Sequence, residues 1–267
     1  MSRSRFGGRR WKKLKSSWSD IKTAYAPVEP PATIHDLAYT DAQGIWNLRS
    51  TTQFPKGNSA GGSSGGSTGG GAITYTLIGD SSSIDSGTIV VPATAAAGDI
   101  AVLFDSIVGT SKVPTGWTEI FAGSATFDTA ISYKILTAGE VGSTVTGQNS
   151  STTYSVKKML VFRPSSLIST VSVGAVQNST MTAAKAAAQT IPAHSSGPCI
   201  VFGLIRAYPN APGRDETWGT EYYVSESNGN NMKVYQEIQT TPTARTLTQS
   251  ADYGSYNHTI GFSLSAS

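Results

Sequence analysis

The chain has one cysteine, three histidines and few charges, and each shortage removes a class of function. A single thiol, Cys199 in the apolar run CIVFGLI (199–205), excludes an intrachain disulfide and a cysteine-rich metal site. It reads as a small buried hydrophobe. His35, His194 and His258 stand apart among polar, loop-like residues, with no HxH, HxxxH or mixed Cys/His spacing. Each reads as a surface-loop residue, and neither a metal nor a cofactor is expected. The glycine-rich run contains no lysine for a phosphate loop, and GGSSGG (61–66) lacks the flanking strand and helix of a nucleophile elbow. Asp215 and Glu216, adjacent in NAPGRDETWG, read as solvated rather than as a glycoside-cleaving pair. No apolar run approaches the ~20 residues that cross a bilayer. The basic N-terminus lacks the apolar stretch of a secretory signal. These shortages lead us to expect a protein with no enzymatic activity and no membrane span, made in a cytoplasm.

Charged residues make up 14% of the chain, against about 25% in ordinary soluble domains. Polarity comes from Ser, Thr, Gly and Asn, as in all-β proteins that face water. The net charge of +3 is unevenly spread. Residues 1–72 hold ten Lys/Arg and four Asp/Glu, and the remaining ten basic and thirteen acidic residues follow. Between these regions lies NSAGGSSGGSTGGG (58–71), with seven glycines and five serines or threonines. It buries nothing and loses much backbone entropy if ordered, so residues 57–72 read as a flexible linker.

Residues 1–56 read as an extended docking arm. The first 22 positions carry eight basic residues and one acid, with Phe6, Trp11, Leu14 and Trp18 interleaved. A short helix is expected over 16–26, ending before Pro27. A solvated tail and nucleic-acid binding are the competing readings. Docking on a protein is favoured, because Trp11, Trp18, Trp46 and Phe54 have no core of their own in which to be buried. Arg9, Arg10 and Lys12 would frame that contact.

From residue 73 the chain breaks into short runs rich in Val, Ile, Thr and aromatics, separated by Gly, Pro, Asp and Ser. Seven strands are expected in 73–165 and seven in 166–267. Matching positions recur about one hundred residues apart: Pro92 with Pro192, Gly98 with Gly197, Trp117 with Trp218, Tyr133 with Tyr235, and Phe162 with Phe262. The chain therefore reads as all-β, with two tandem antiparallel β-sandwich repeats, jelly-roll or Ig-like, at 73–165 and 166–267. One larger sandwich built from both halves is the alternative. Trp117 and Trp218, repeated in one slot, read as core. Tyr208 and Tyr223 have no counterpart and, with Arg214, form the candidate ligand contact.

The order GDIAVLF, VPTGWTEI, AISYKILTAGEVGSTVTG, KKMLVFRPSSLIS resembles a β-sandwich module of tailed-bacteriophage virion proteins. The resemblance rests on residues 98–104, 114–117, 133–143 and 159–164. TDAQGIWNLRSTTQF (40–54) is similar to a segment near the N-termini of such proteins. The resemblance implies a virion component of the tail-fibre or head-fibre type, present in multiple copies per particle. Its arm (1–56) would dock on capsid, portal/adaptor or tail proteins, and its heads would meet a host-surface glycan or receptor. A capsid decoration (cement) protein and a carbohydrate-binding module are the alternatives.

Overall fold

The computed structural model describes residues 39–40, 46–47, 72–108, 112–123, 127–146, 154–182, 186–209, 218–227, 229–249 and 256–267. The expected helix at 16–26, the linker up to residue 71 and most of the docking arm lie outside them. The chain divides into two units, Met1–Ser67 and Thr68–Ser267. In the first, strands β1 (Tyr39–Thr40) and β2 (Trp46–Asn47) form an antiparallel pair.

The second unit is all-β, with several antiparallel sheets. Its first half supplies β3 (Tyr75–Ile84), β4 (Ile89–Val90), β5 (Ile100–Val108), β6 (Thr118–Ala122), β7 (Phe127–Ile135), β8 (Thr144–Val145) and β9 (Ser155–Pro164). Its second half supplies β10 (Val171–Val173), β11 (Gln177–Thr182), β12 (Gln189–Ile191), β13 (Cys199–Tyr208), β14 (Thr220–Ser225), β15 (Asn231–Gln239), β16 (Arg245–Leu247) and β17 (Tyr256–Ala266).

The large sheet of the first half has the order β3-β9-β5-β7-β6, with β4 pairing β8 beside it. The second half repeats this plan as β10-β17-β13-β15-β14, with β11 also on β17 and β12 pairing β16. Strand alternation puts Ile100, Val102 and Phe104 of β5 on one face, and Ile200, Phe202 and Leu204 of β13 on the corresponding face. These faces meet. Phe202 stacks on Phe262 with centroids 5.0 Å apart and lies 5.7 Å from Phe104 and 5.6 Å from Phe162. One core is therefore shared by both halves, and the expectation of two self-contained sandwiches gives way to sheets that seal each other.

The opposite faces are covered separately. Ala101, Leu103, Met159 and Val161 pack beneath Ile89, Val91 and Val145. Val201, Ile205 and Tyr235 pack beneath Ile191 and Leu247. The two covers fill space in opposite ways. Leu103 pairs with Met159 across the first sheet, whereas Gly203 pairs with Gly261 across the second. A Cβ on Gly203 would lie 3.1 Å from the Trp218 ring, so the volume that Leu103 fills in one half is filled by an indole in the other.

The register corrects two correspondences drawn from sequence. Ile100 faces Phe162 and Ile200 faces Leu264, so Phe162 answers to Leu264 and Phe262 to Leu160, a two-residue slip that keeps the inward face. Ile100 faces Ile135, and Ile200 faces Ile238. With Ile100 matched to Ile200, the offset on β7 and β15 is 238 minus 135, or 103. Tyr133 then answers to Gln236, and Tyr235 to Ser132. A one-residue slip moves a side chain to the other face, and Tyr133 indeed packs on the shared core while Tyr235 packs under the cover.

Candidate functional site

At the C-terminal end of β13 the shared core turns polar. Arg206 continues the inward parity of Ile200, Phe202 and Leu204, and is 2% exposed. Its Nε donates to Asn230 Oδ1 at 3.0 Å, and its Nη2 donates across to the Ile107 carbonyl of the first sheet at 3.3 Å. Asn230 Nδ2 donates to the carbonyls of Ser106 (3.1 Å) and Tyr154 (2.7 Å). Burial pulls the Arg206 guanidinium down to about 9, opposed by the nearby Asp128 carboxylate, so it stays charged at neutral pH. A buried charge that reaches carbonyls of both sheets acts as a clamp between them.

The exposed aromatic Tyr223 lies on the neighbouring strand β14. The Tyr223 hydroxyl donates to Asn231 Oδ1 at 2.8 Å, and Asn231 Nδ2 donates to the carbonyls of Pro209 (3.3 Å) and Gly229 (2.6 Å). Gly229 has φ +101° and lies so close to Pro209 that a Cβ there would meet its carbonyl oxygen at 2.6 Å. The structure therefore brings Tyr223 and the Tyr208-Pro209 turn together through Asn231. Arg214 lies outside the described residues. Tyr223 is 46% exposed, and Lys233 Nζ sits 6.0 Å from its ring centroid while pairing with Glu221 at 3.4 Å. A rigid aromatic edge beside a neutralised cation suits a binding contact.

On the outer face of the first sheet, Lys157 Nζ lies 3.1 Å from Asp105 Oδ1 and is fully buried. It also donates to Ser155 Oγ at 3.0 Å. Burial pushes the Asp105 carboxyl up to about 6, with Lys157 opposing.

Two histidine readings are corrected. His194 and His258 are buried, not loop-exposed. His258 lies in β17, edge-on to Phe121 at 5.4 Å, and both ring nitrogens lack a partner among the described residues. Burial, then Arg206, lowers it to about 4. His194 Nδ1 is 2.9 Å from Ser263 Oγ, a spacing that a nucleophile and its base could take. Ser263, however, is 2% exposed beneath Gly174, so a substrate has no path to it. Cys199 is buried, with its thiol pushed up to about 11 by burial.

Among the described residues no group of three or more His, Cys, Asp or Glu is arranged to hold a metal, and no helix is long and apolar enough to cross a membrane. Of the arm residues singled out by sequence, Trp46 falls in β2, whose side chains lie outside the description. Arg9, Arg10, Trp11, Lys12, Trp18 and Phe54 lie outside the described residues altogether. Sequence reasoning missed Arg206 and Asn230. The available signal was a lone charge at inward parity in the apolar strand CIVFGLIRAY. No protein-family model matches this chain, and neither comparison with curated proteins nor comparison with solved structures gives a match.

Proposed function

We propose that the protein is a non-enzymatic structural component of a phage virion. It is anchored by residues 1–56 and displays its β head on a Gly/Ser tether for attachment to a host surface. The observation that carries the reading is the order of parts. A basic, aromatic arm comes first, then a tether with no anchoring side chain, then a head whose sheets seal a common core and whose buried charges are engaged in structural contacts. Such a head presents surfaces, and the one Ser–His contact seen among its described residues is buried. The matching strand orders of the two halves further support an origin by tandem duplication of one sheet-plus-cover unit. The contact surface on this reading is the Tyr208–Tyr223 edge.

The test is a mass-spectrometric inventory of purified particles, with copy number measured against the major capsid protein. The protein should co-purify in multiple copies. Its absence from particles that assemble normally would end the virion reading.

A further inference from the structure

The first half carries an open cleft that its tryptophan helps to wall. Trp117 closes the turn from Pro114, its N–H donating to the Pro114 carbonyl at 3.1 Å, with Gly116 at φ +79°. Half-buried, it packs at the edge of the outer cluster that contains Leu103. It lines a space of about 330 Å³ together with Thr115, Lys134, Glu140, Thr144 and Thr146.

The walls are fixed. Lys134 Nζ and Glu140 Oε1 pair at 2.5 Å, each side chain about one quarter exposed. The Thr137 amide and hydroxyl each donate to Glu140 Oε2 at 2.8 Å, so the carboxylate is oriented before any ligand arrives. The Ser143 amide donates to the Glu140 carbonyl at 3.0 Å, and its own carbonyl accepts from Val91 at 2.9 Å, which ties the far wall to the cover.

The other half shows what this arrangement is not. Trp218 lies on Gly203, its Nε1 donating to the Thr246 carbonyl at 2.9 Å, and its ring sits 6.0 Å from that of Tyr235. Leu103 stands where Gly203 would admit the indole, and the indole Nε1–H of Trp117 has no acceptor among the described residues. Both tryptophans are half-buried against their covers, but the Trp218 indole is held by an acceptor on the Gly203 gap, whereas Trp117 borders open space.

We propose that this cleft binds a neutral sugar unit. The Trp117 face would take the C–H face of a pyranose, and the Lys134–Glu140 pair with the threonine hydroxyls would exchange hydrogen bonds with its hydroxyl groups. The volume is near the lower end of ligand pockets, about 300–1,000 Å³, which suits one or two rings. An anion would have to break an ion pair that already neutralises itself. An apolar side chain would cover that pair without replacing its water contacts. The site is distinct from the Tyr208–Tyr223 edge, and the proposal deepens the attachment reading only by naming what the head would hold.

The test uses the full chain with glucose, galactose, N-acetylglucosamine, rhamnose and their disaccharides at millimolar concentration. Saturation-transfer NMR and tryptophan fluorescence are the readouts. At least one sugar should bind saturably. Trp117→Ala and the cleft-filling Thr115→Tyr at an exposed position should each raise Kd at least about tenfold, while Trp218→Phe leaves it unchanged. Should Trp117→Ala unfold the head, Thr115→Tyr decides alone. No saturable sugar binding by the parent protein overturns the proposal. So does binding that survives Thr115→Tyr, or binding confined to sulfate and phosphorylated sugars. Sugar binding by a protein missing from particles would retain the site and remove the virion reading, so the two failures are distinguishable.

Discussion

Asp105 and His258 should make opposite contributions to acid stability, and removing one should unmask the other. The Asp105 carboxyl rises from 3.8 to about 6 on folding, and the His258 ring falls from 6.5 to about 4. Each shift corresponds to about 3 kcal/mol, at 1.36 kcal/mol per pKa unit. Between pH 4 and 6 the folded protein holds a proton on Asp105 that the unfolded chain has released, and lacks the one on His258 that the unfolded chain carries. The Asp105 contribution is present in full below 3.8 and is lost as pH rises through about 6. The His258 contribution is present above 6.5 and is lost as pH falls through about 4. In the parent protein these slopes nearly cancel. The perturbation is the double change Asp105→Asn, Lys157→Met, which removes the ion pair without leaving Lys157 buried and alone. Urea unfolding from pH 7 to pH 4 reads the difference between variant and parent. Relative to the parent, the variant should lose about 3 kcal/mol on acidification over this range. His258→Gln should gain a similar amount. A difference between the Asp105 variant and the parent that stays flat across the range would refute the reasoning, because it would mean that Asp105 remains ionised in the fold.

Phe202→Ala removes the ring that touches Phe104, Phe162 and Phe262, and should cost about 3–5 kcal/mol. Because the core is common, fluorescence from Trp117 and Trp218, read in single-tryptophan variants, should report one shifted transition; two separate transitions would mean independent halves. Gly203→Ala should cost about 1–3 kcal/mol by overpacking against Trp218 and Leu247, and less in a Trp218→Leu background. Deleting residues 1–22 should abolish incorporation into particles while far-UV circular dichroism of the head stays unchanged; full occupancy by the truncated protein would move the anchor to residues 34–54. Replacing Tyr208, Arg214 and Tyr223 together with alanine should reduce particle attachment to host cells at unchanged particle yield; unchanged attachment would remove this edge from the contact.

The strands were legible because alternation and turn residues act locally. AISYKIL (130–136) and VKKMLVF (156–162) fall within or close to β7 and β9. Gly98 and Gly197, matched from sequence, both take positive φ (+90° and +65°). What escaped depends on parity across strands. Tyr133 and Tyr235 look equivalent along the chain, but one faces the common core and the other the cover, a distinction set by hydrogen-bond register. β11 (QNSTMT) carries too few apolar residues to announce a strand, and it exists because β17 offers a paired edge. His258 looks like a loop residue beside Asn257 and Thr259, yet it sits at an inward position. The candidate site was half visible. Tyr208 and Tyr223 stood out as unmatched aromatics, but the Arg206–Asn230 clamp beneath them needed two sheets to be brought together.

The sheet margins bear on crowding. β3 is bulged at Leu77–Gly79, and β6 at Glu119–Phe121. The margin along β17 is divided between β10 and β11, whose pairing breaks between Val173 and Gln177. A strand from a neighbouring copy needs an unbroken row of donors and acceptors to extend a sheet; these irregularities interrupt that row at three margins, whereas β14 pairs β15 without a register shift and leaves the fourth regular. On the proposed reading, copies held side by side would meet strand-to-strand zipping with obstacles at β3, β6 and the β10–β11 margin, and β14 is the edge through which sheets would join if any do.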